Sequence, residues 1–151
     1  LVELARQVVC EFLDGGLDAR YQIVFDSSQE SETASIMGDE VLLKRALYNL
    51  IQNSVIHNPK GCVISVSVAR NETGITTMVS DDGIGVSAEK LEKLRATAHH
   101  LESTDERLNL RHGLGVLLVR QIVEAHHGTV EIESTPQNGY QTVLVFPGGG
   151  P

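Results

Sequence analysis

A chain of 151 residues suits one domain, and a hydrophobic content of 41% supports a core without help from metals or disulfides. Tryptophan is absent and aromatic residues make up only 4%, so that core must be aliphatic. The formal net charge of −8 argues against a nucleic-acid or anionic-membrane surface, and no apolar run approaches the roughly 20 residues that span a bilayer.

Residues 1–13 place Leu1, Leu4, Ala5, Val8, Val9 and Phe12 along one side of a helix, which Asp14-Gly15-Gly16 ends. Residues 21–25 read as a strand and 27–33 as a polar loop. A short apolar run, 34–37, leads into Gly38-Asp39. Asp39 is a suitable N-cap for a long helix that Asn58-Pro59 stops after His57. Residues 62–69 and 75–79 read as strands joined through Asn71-Glu72-Thr73-Gly74. A helix is expected over 87–95, and a strongly apolar one over 113–126. Residues 97–111 show no strong period. Closing strands at 129–133 and 142–146 flank a turn at Pro136 and Asn138-Gly139. Cys10 and Cys62, with no C-x-x-C spacing, read as small buried hydrophobes. The chain begins without Met, shows no signal peptide and reads as a fragment. The expected architecture is a two-layer α/β sandwich: a mixed sheet of about five strands with three main helices on one face.

Three segments carry chemistry. The first is Asn49-Leu50-Ile51-Gln52-Asn53, on the long helix. Leu43, Leu47 and Leu50 define its core-facing arc, and Asn49 and Asn53 share an adjacent stripe at the margin of that arc. They are either a solvated helix flank or the lining of a polar cavity, where a carboxamide oxygen suits Mg²⁺. The second segment is Asp81-Asp82-Gly83-Ile84-Gly85, directly after a strand. It is either an ordinary Asp-Gly turn or a site where Asp81 presents a carboxylate at the sheet edge and Gly83 and Gly85 let a flat ring approach the backbone. The third is His112-Gly113-Leu114-Gly115-Val116, which opens an apolar helix where free N–H groups and the helix dipole favour phosphate. No G-x-x-x-x-G-K-[ST] is present, which excludes a P-loop, and the third glycine of a dinucleotide fingerprint is missing.

In this order, the three segments resemble the ATP-binding catalytic domain of bacterial sensor histidine kinases. That family belongs to a superfamily with DNA gyrase, the heat-shock chaperone ATPases and the mismatch-repair ATPases. The resemblance covers about residues 1–147, leaving 148–151 as a flexible tail. It implies ATP or ADP held with Mg²⁺ by Asn49, Asn53, Asp81, Gly83, Gly85, Gly113, Leu114 and Gly115. Asn53 would be the metal ligand, and Asp81 would accept the exocyclic amine of adenine. Residues 86–112 would form a flexible ATP lid holding Lys90, Lys93, Arg95, Arg107 and Arg111, of which one or more would reach the phosphates while each taken singly reads as solvating a helix face beside Glu89, Glu92 and Glu106. His99-His100 reads as a pair of exposed loop histidines with no third ligand for a metal.

The chain departs from the family pattern in three places. Ser54 stands where Ala is usual, Ile56 where many members carry a basic residue, and the phenylalanine-rich lid motif is absent. Asn49 occupies the position at which the superfamily's hydrolases carry a general-base Glu, and an amide cannot deprotonate water. The resemblance therefore implies transfer of the γ-phosphoryl group to a histidine on the parent's dimerisation domain. A response regulator would then be phosphorylated. No catalytic residue is assigned within this chain, none of its six histidines lies in an acceptor-like context, and the isolated fragment should be nearly inactive. The domain would be cytoplasmic, make no direct membrane contact and bind no nucleic acid, within a parent sensor of the inner or plasma membrane. The alternative is a degenerate nucleotide-binding module that signals by contact.

Overall fold

The structure, a computed structural model, describes residues 1–97 and 114–148. The chain runs α1 (Val2–Asp14), β1 (Tyr21–Ser27), a 3-10 turn (Gln29–Ser31), α2 (Glu40–His57), β2 (Cys62–Asn71) and β3 (Gly74–Asp81). It continues through α3 (Ala88–Thr97), α4 (Leu114–Ala125), β4 (Thr129–Ser134) and β5 (Tyr140–Pro147). The five strands form one sheet in the order β1-β2-β3-β5-β4. β1 and β2 pair in parallel, with α2 in the crossover between them, and the other pairs are antiparallel. This is the mixed two-layer architecture expected from the pattern.

The sheet buries one set of alternating side chains. Ile64, Val66 and Val68 of β2, Ile75 and Val79 of β3, and Leu144 and Phe146 of β5 enter one cluster. Val8 of α1, Leu47 and Ile51 of α2, and Val119 and Val123 of α4 join that cluster, which places these three helices over the same face. A smaller cluster of Leu91, Leu94, Val116 and Ile132 seats α3 against β4 and the start of α4. The core is aliphatic, as the composition demands, and Phe146 is the largest fully buried side chain among the described residues.

Local chemistry fixes the element ends. Asp39 caps α2 by accepting the Leu42 N–H at 3.0 Å. The β2–β3 turn is an Asx turn: Asn71 Oδ1 accepts from the Thr73 N–H at 3.0 Å and from the Gly74 N–H at 2.9 Å. β3 runs two residues past its expected end, so Asp81 lies within the ladder and the pleat sets its direction. Cys62 is buried as expected, but Cys10 is exposed on the outer side of α1, whose buried side carries Val2, Leu4, Ala5, Val8 and Val9. Both thiols are free.

Candidate functional site

A cleft of about 260 Å³ opens between the C-terminal half of α2, the loop after β3, α3, the first turn of α4 and the start of β5. Asn53, Asp81, Gly85 and Gly115 all line it, so one residue from the asparagine helix and at least one from each glycine segment meet there. Gly113 lies outside the described residues, as do His99, His100, Arg107 and Arg111. Leu114 begins α4. Asn49 is half-buried one turn before Asn53 and does not reach the cleft wall.

Asn53 faces the first turn of α4 at close range. A Cβ built on Gly115 would lie 2.9 Å from Asn53 Nδ2 and 3.1 Å from its Oδ1. Glycine at 115 is therefore what lets the carboxamide and the helix terminus approach each other. Any anion at this terminus would meet both the amide and the free N–H groups of the first turn.

Asp81 is 9% exposed at the last position of β3, and its Oδ1 accepts the Gly83 N–H at 3.0 Å. That bond uses one oxygen and curls the glycine loop around the carboxylate. Asp82 points elsewhere, and its Oδ1 accepts the Val63 N–H at 2.7 Å, which ties the loop to β2. Gly83 stays off the cleft wall, packed against the side chain of Asn58. Gly85 has a φ of +63°, and a Cβ there would run into the Thr135 carbonyl oxygen.

Several residues that hold the site together carry no motif. Asn58 reads in the sequence as a helix stop. It is 4% exposed, donates from Nδ2 to the Ser54 carbonyl at 2.8 Å and accepts the Ile84 N–H at 3.0 Å. It thus clamps the end of α2 to the glycine loop. Ser134 Oγ accepts the Val86 N–H at 2.9 Å and donates to the Gly139 carbonyl at 2.6 Å, binding the same loop to the β4–β5 turn. Cys62 lies behind the cleft, where burial, and then the carboxylates of Asp81 and Asp82, push its thiol up to about 11.

Among the described residues, charge on the cleft wall is sparse. Lys90 lines it; Lys93 pairs with Glu89 at 3.0 Å, and Arg95 donates to the Ile132 carbonyl at 2.6 Å. Ile56 and Ile84 give the mouth an apolar rim, at 60% and 63% exposed. Among the described residues no cluster of three His, Cys, Asp or Glu side chains could hold a metal by itself. The donor set fits a hydrated cation that takes one carboxamide oxygen from the protein and the rest of its shell from water and phosphate.

Residues 38–149 match the family described as histidine kinase-, DNA gyrase B- and HSP90-like ATPase, and the chain belongs to that family. Among its curated relatives is the sensor-like histidine kinase SenX3 of Mycobacterium tuberculosis, 31% identical over 112 residues. That match covers 74% of this chain and 27% of SenX3, so the chain spans about a quarter of that relative's length. Solved structures share the fold. Full-length ShkA in complex with AMPPNP superposes with a TM-score of 0.77 at 20% identity, covering 99% of this chain and 30% of that one. Histidine kinase ThkA in complex with the response regulator TrrA gives 0.74 at 23% identity, covering 99% and 40%.

No helix among the described residues is long and apolar enough to cross a membrane.

Proposed function

We propose that the cleft holds ATP with Mg²⁺, and that the longer protein to which this domain belongs passes the γ-phosphoryl group to a histidine on its dimerisation domain. A response-regulator aspartate would be the next acceptor. The observation that carries this reading is the meeting of Asn53, Asp81 and the Gly115 turn in one cleft, in a chain that belongs to the family. The ShkA complex with AMPPNP and the ThkA complex with a response regulator support the nucleotide and the downstream partner.

Each residue has a distinct task. Asp81 accepts the exocyclic amine of adenine, and guanine, with a carbonyl at that position, is repelled. Gly85 on the cleft wall lets the ring lie against the loop backbone, while Gly83 lets the loop pack on Asn58. The first turn of α4, which begins with Leu114 and Gly115, offers N–H groups to the phosphates. Asn53 offers its carboxamide oxygen to Mg²⁺, which supplies neutralisation of phosphate charge and a fixed phosphate geometry. Lys90 is the basic side chain on the cleft wall among the described residues, and it offsets the apolar Ile56.

Water activation is not among these tasks. Asn49 sits where a hydrolase would need a base, an amide is not one, and its side chain stands off the cleft. Positioning supplies most of the rate in phosphoryl transfer, so ATP should bind to this chain and largely survive. The domain would work on the cytoplasmic side of a membrane sensor, where ATP and response regulators are found.

Two measurements test the reading together: a nucleotide titration with and without Mg²⁺, and transfer of labelled phosphate from ATP to the separately supplied dimerisation domain. Binding with transfer is expected. Vigorous hydrolysis by this chain alone, abolished by Asn53→Ala, would move it to the ATPase branch. Binding without transfer would favour the contact-signalling module.

A further inference from the structure

A second cavity, of about 370 Å³, opens against β4 between α3 and α4, and no residue lines both it and the cleft. Its walls are Arg95, Arg120, Val130, Glu131, Ile132 and Glu133. The apolar cluster of Leu91, Leu94, Val116 and Ile132 lies between the two, since Leu94 and Val116 reach the cleft and Ile132 reaches this cavity.

Arg120 sits on α4 and is only 8% exposed. Its Nε is buried with no hydrogen-bond partner, and among the described residues no carboxylate pairs with its guanidinium. An arginine this buried almost always has a counter-charge, because a desolvated cation without one carries a large free-energy cost. The described neighbours do not supply it. Tyr140, close enough to feel the Arg120 charge, keeps its phenolic proton up to about 12. Glu131 and Glu133 are exposed, and among the described residues neither forms an ion pair.

Arg95 brings a second guanidinium to the same cavity. Its Nε and Nη2 both donate to the Ile132 carbonyl, at 3.1 and 2.6 Å, which holds the group in place and leaves Nη1 for a ligand. Two cations thus share the cavity with two exposed carboxylates. A monoanion is accommodated there, whereas a dianion meets repulsion from Glu131 and Glu133. A planar carboxylate also matches the guanidinium fork. Val130 and Ile132 add an apolar wall against which a short alkyl chain can pack.

We propose that this cavity binds a short-chain aliphatic monocarboxylate, with the Arg120 guanidinium as its counter-charge and Arg95 as the second contact. The site is separate from the cleft and does not depend on what the cleft holds.

The test is a titration of the chain, carrying ¹⁵N-labelled arginine, with sodium butyrate at an ionic strength held constant with chloride. The readout is the set of arginine Nε–H resonances. Those of Arg120 and Arg95 should shift along one saturating curve. Acetate, which lacks two methylenes, should require roughly 3- to 10-fold more ligand, and phosphate should bind more weakly still. Arg120→Met keeps an unbranched stem and removes the charge. It should abolish the Arg95 response, and in chloride buffer its urea midpoint should equal or exceed that of the wild-type chain. Butyrate should raise the wild-type midpoint and leave that of the variant unchanged. Shifts that stay linear and are shared with the exposed Arg45 and Arg70 would overturn the proposal, as would phosphate binding as tightly as butyrate. A saturating response that survives in Arg120→Met would place the anion elsewhere and overturn it as well. A variant midpoint well below wild type in chloride would mean that Arg120 already has a counter-charge, and the premise would fail.

Discussion

The backbone N–H of Asp39 donates to Nε2 of His126 at 2.9 Å, across 87 positions of sequence. His126 Nδ1 lies 2.6 Å from the Ile122 carbonyl oxygen, so the geometry calls for the neutral tautomer with its proton on Nδ1. One ring thus joins the start of α2 to the end of α4, the two helices whose other ends frame the cleft. Gly38 packs flat against the ring, and any Cβ at 38 would run into it.

Replacing His126 with Ala removes both contacts. It should lower stability by roughly 0.5–1.5 kcal/mol, and Asp39→Ala, which removes the cap on Leu42, by about 1 kcal/mol. Urea midpoints measure both. If the joint also sets the mutual position of the helices, His126→Ala should weaken nucleotide binding although residue 126 is not on the cleft wall.

Asp81→Asn keeps the shape of the side chain and replaces one carboxylate oxygen with a donor. ATP affinity should fall by about 1–3 kcal/mol, the range for a lost hydrogen bond to a charged group. The wild-type chain should prefer ATP over GTP by calorimetry. Equal affinities for the two nucleotides would remove Asp81 from the role of base selector.

Glycine substitutions should separate folding from binding. At Gly83 a methyl group would run into Asn58, whose carboxamide is buried and bonded at both ends, so it cannot give way. At Gly85 the obstacle is the Thr135 carbonyl, and the φ of +63° adds strain. Both Ala variants should lose roughly 1–3 kcal/mol of stability. At Gly115 the neighbour is the end of the Asn53 side chain, which can rotate. Gly115→Ala should therefore fold well yet lose Mg²⁺-dependent affinity, as should Asn53→Ala. Full retention of the Mg²⁺ enhancement in both would place the cation elsewhere.

Alkaline pH should destabilise the fold. Cys62 titrates at about 11 against a usual 9.0, and Tyr140 at about 12 against 10.0, each chiefly through burial. Both groups hold their protons more tightly when folded, so their contribution is complete below the unfolded values and disappears as pH rises through the folded ones. The urea midpoint should fall from about pH 8 to about pH 11, and by less in Cys62→Ala or Tyr140→Phe than in the wild-type chain, each compared with its own value at the lower pH.

The elements of this fold were legible because each is local. Asp39 announces a cap, Asn71 to Gly74 a turn, and alternation over 62–69 a half-buried strand. The residues at 53, 81, 85 and 115 that meet in the cleft each sit in a short pattern with its own chemistry, which is why the sequence singles them out. What the sequence hid is pairing at a distance. Tyr140 faces Asp81 because β5 inserts beside β3 in one register, and alternation fixes a side chain's face but not its partner. Asn58 looked like a stop signal because its helix-ending role is local, whereas the bond to Ile84 depends on a loop 26 residues away. Ser134 and His126 likewise act through partners distant in sequence. Cys10 departs from the expected burial because its place on the helix, opposite the apolar side, outweighs the preference of the residue type.

The strand order has a bearing on how the domain is made. β4 leaves the ribosome before β5, yet β5 occupies the seat between β3 and β4. Until residues 140–147 emerge, β3 carries a bare edge on that side and β4 has no strand to pair with. An exposed edge of this kind recruits other strands, so a nascent or truncated chain ending before residue 140 is an aggregation hazard and lacks a finished cleft. Completion of the sheet by a late central strand makes folding wait for distant pairings, which slows it. The cleft is therefore completed only at the end of synthesis, when β5 sets Tyr140 across from Asp81.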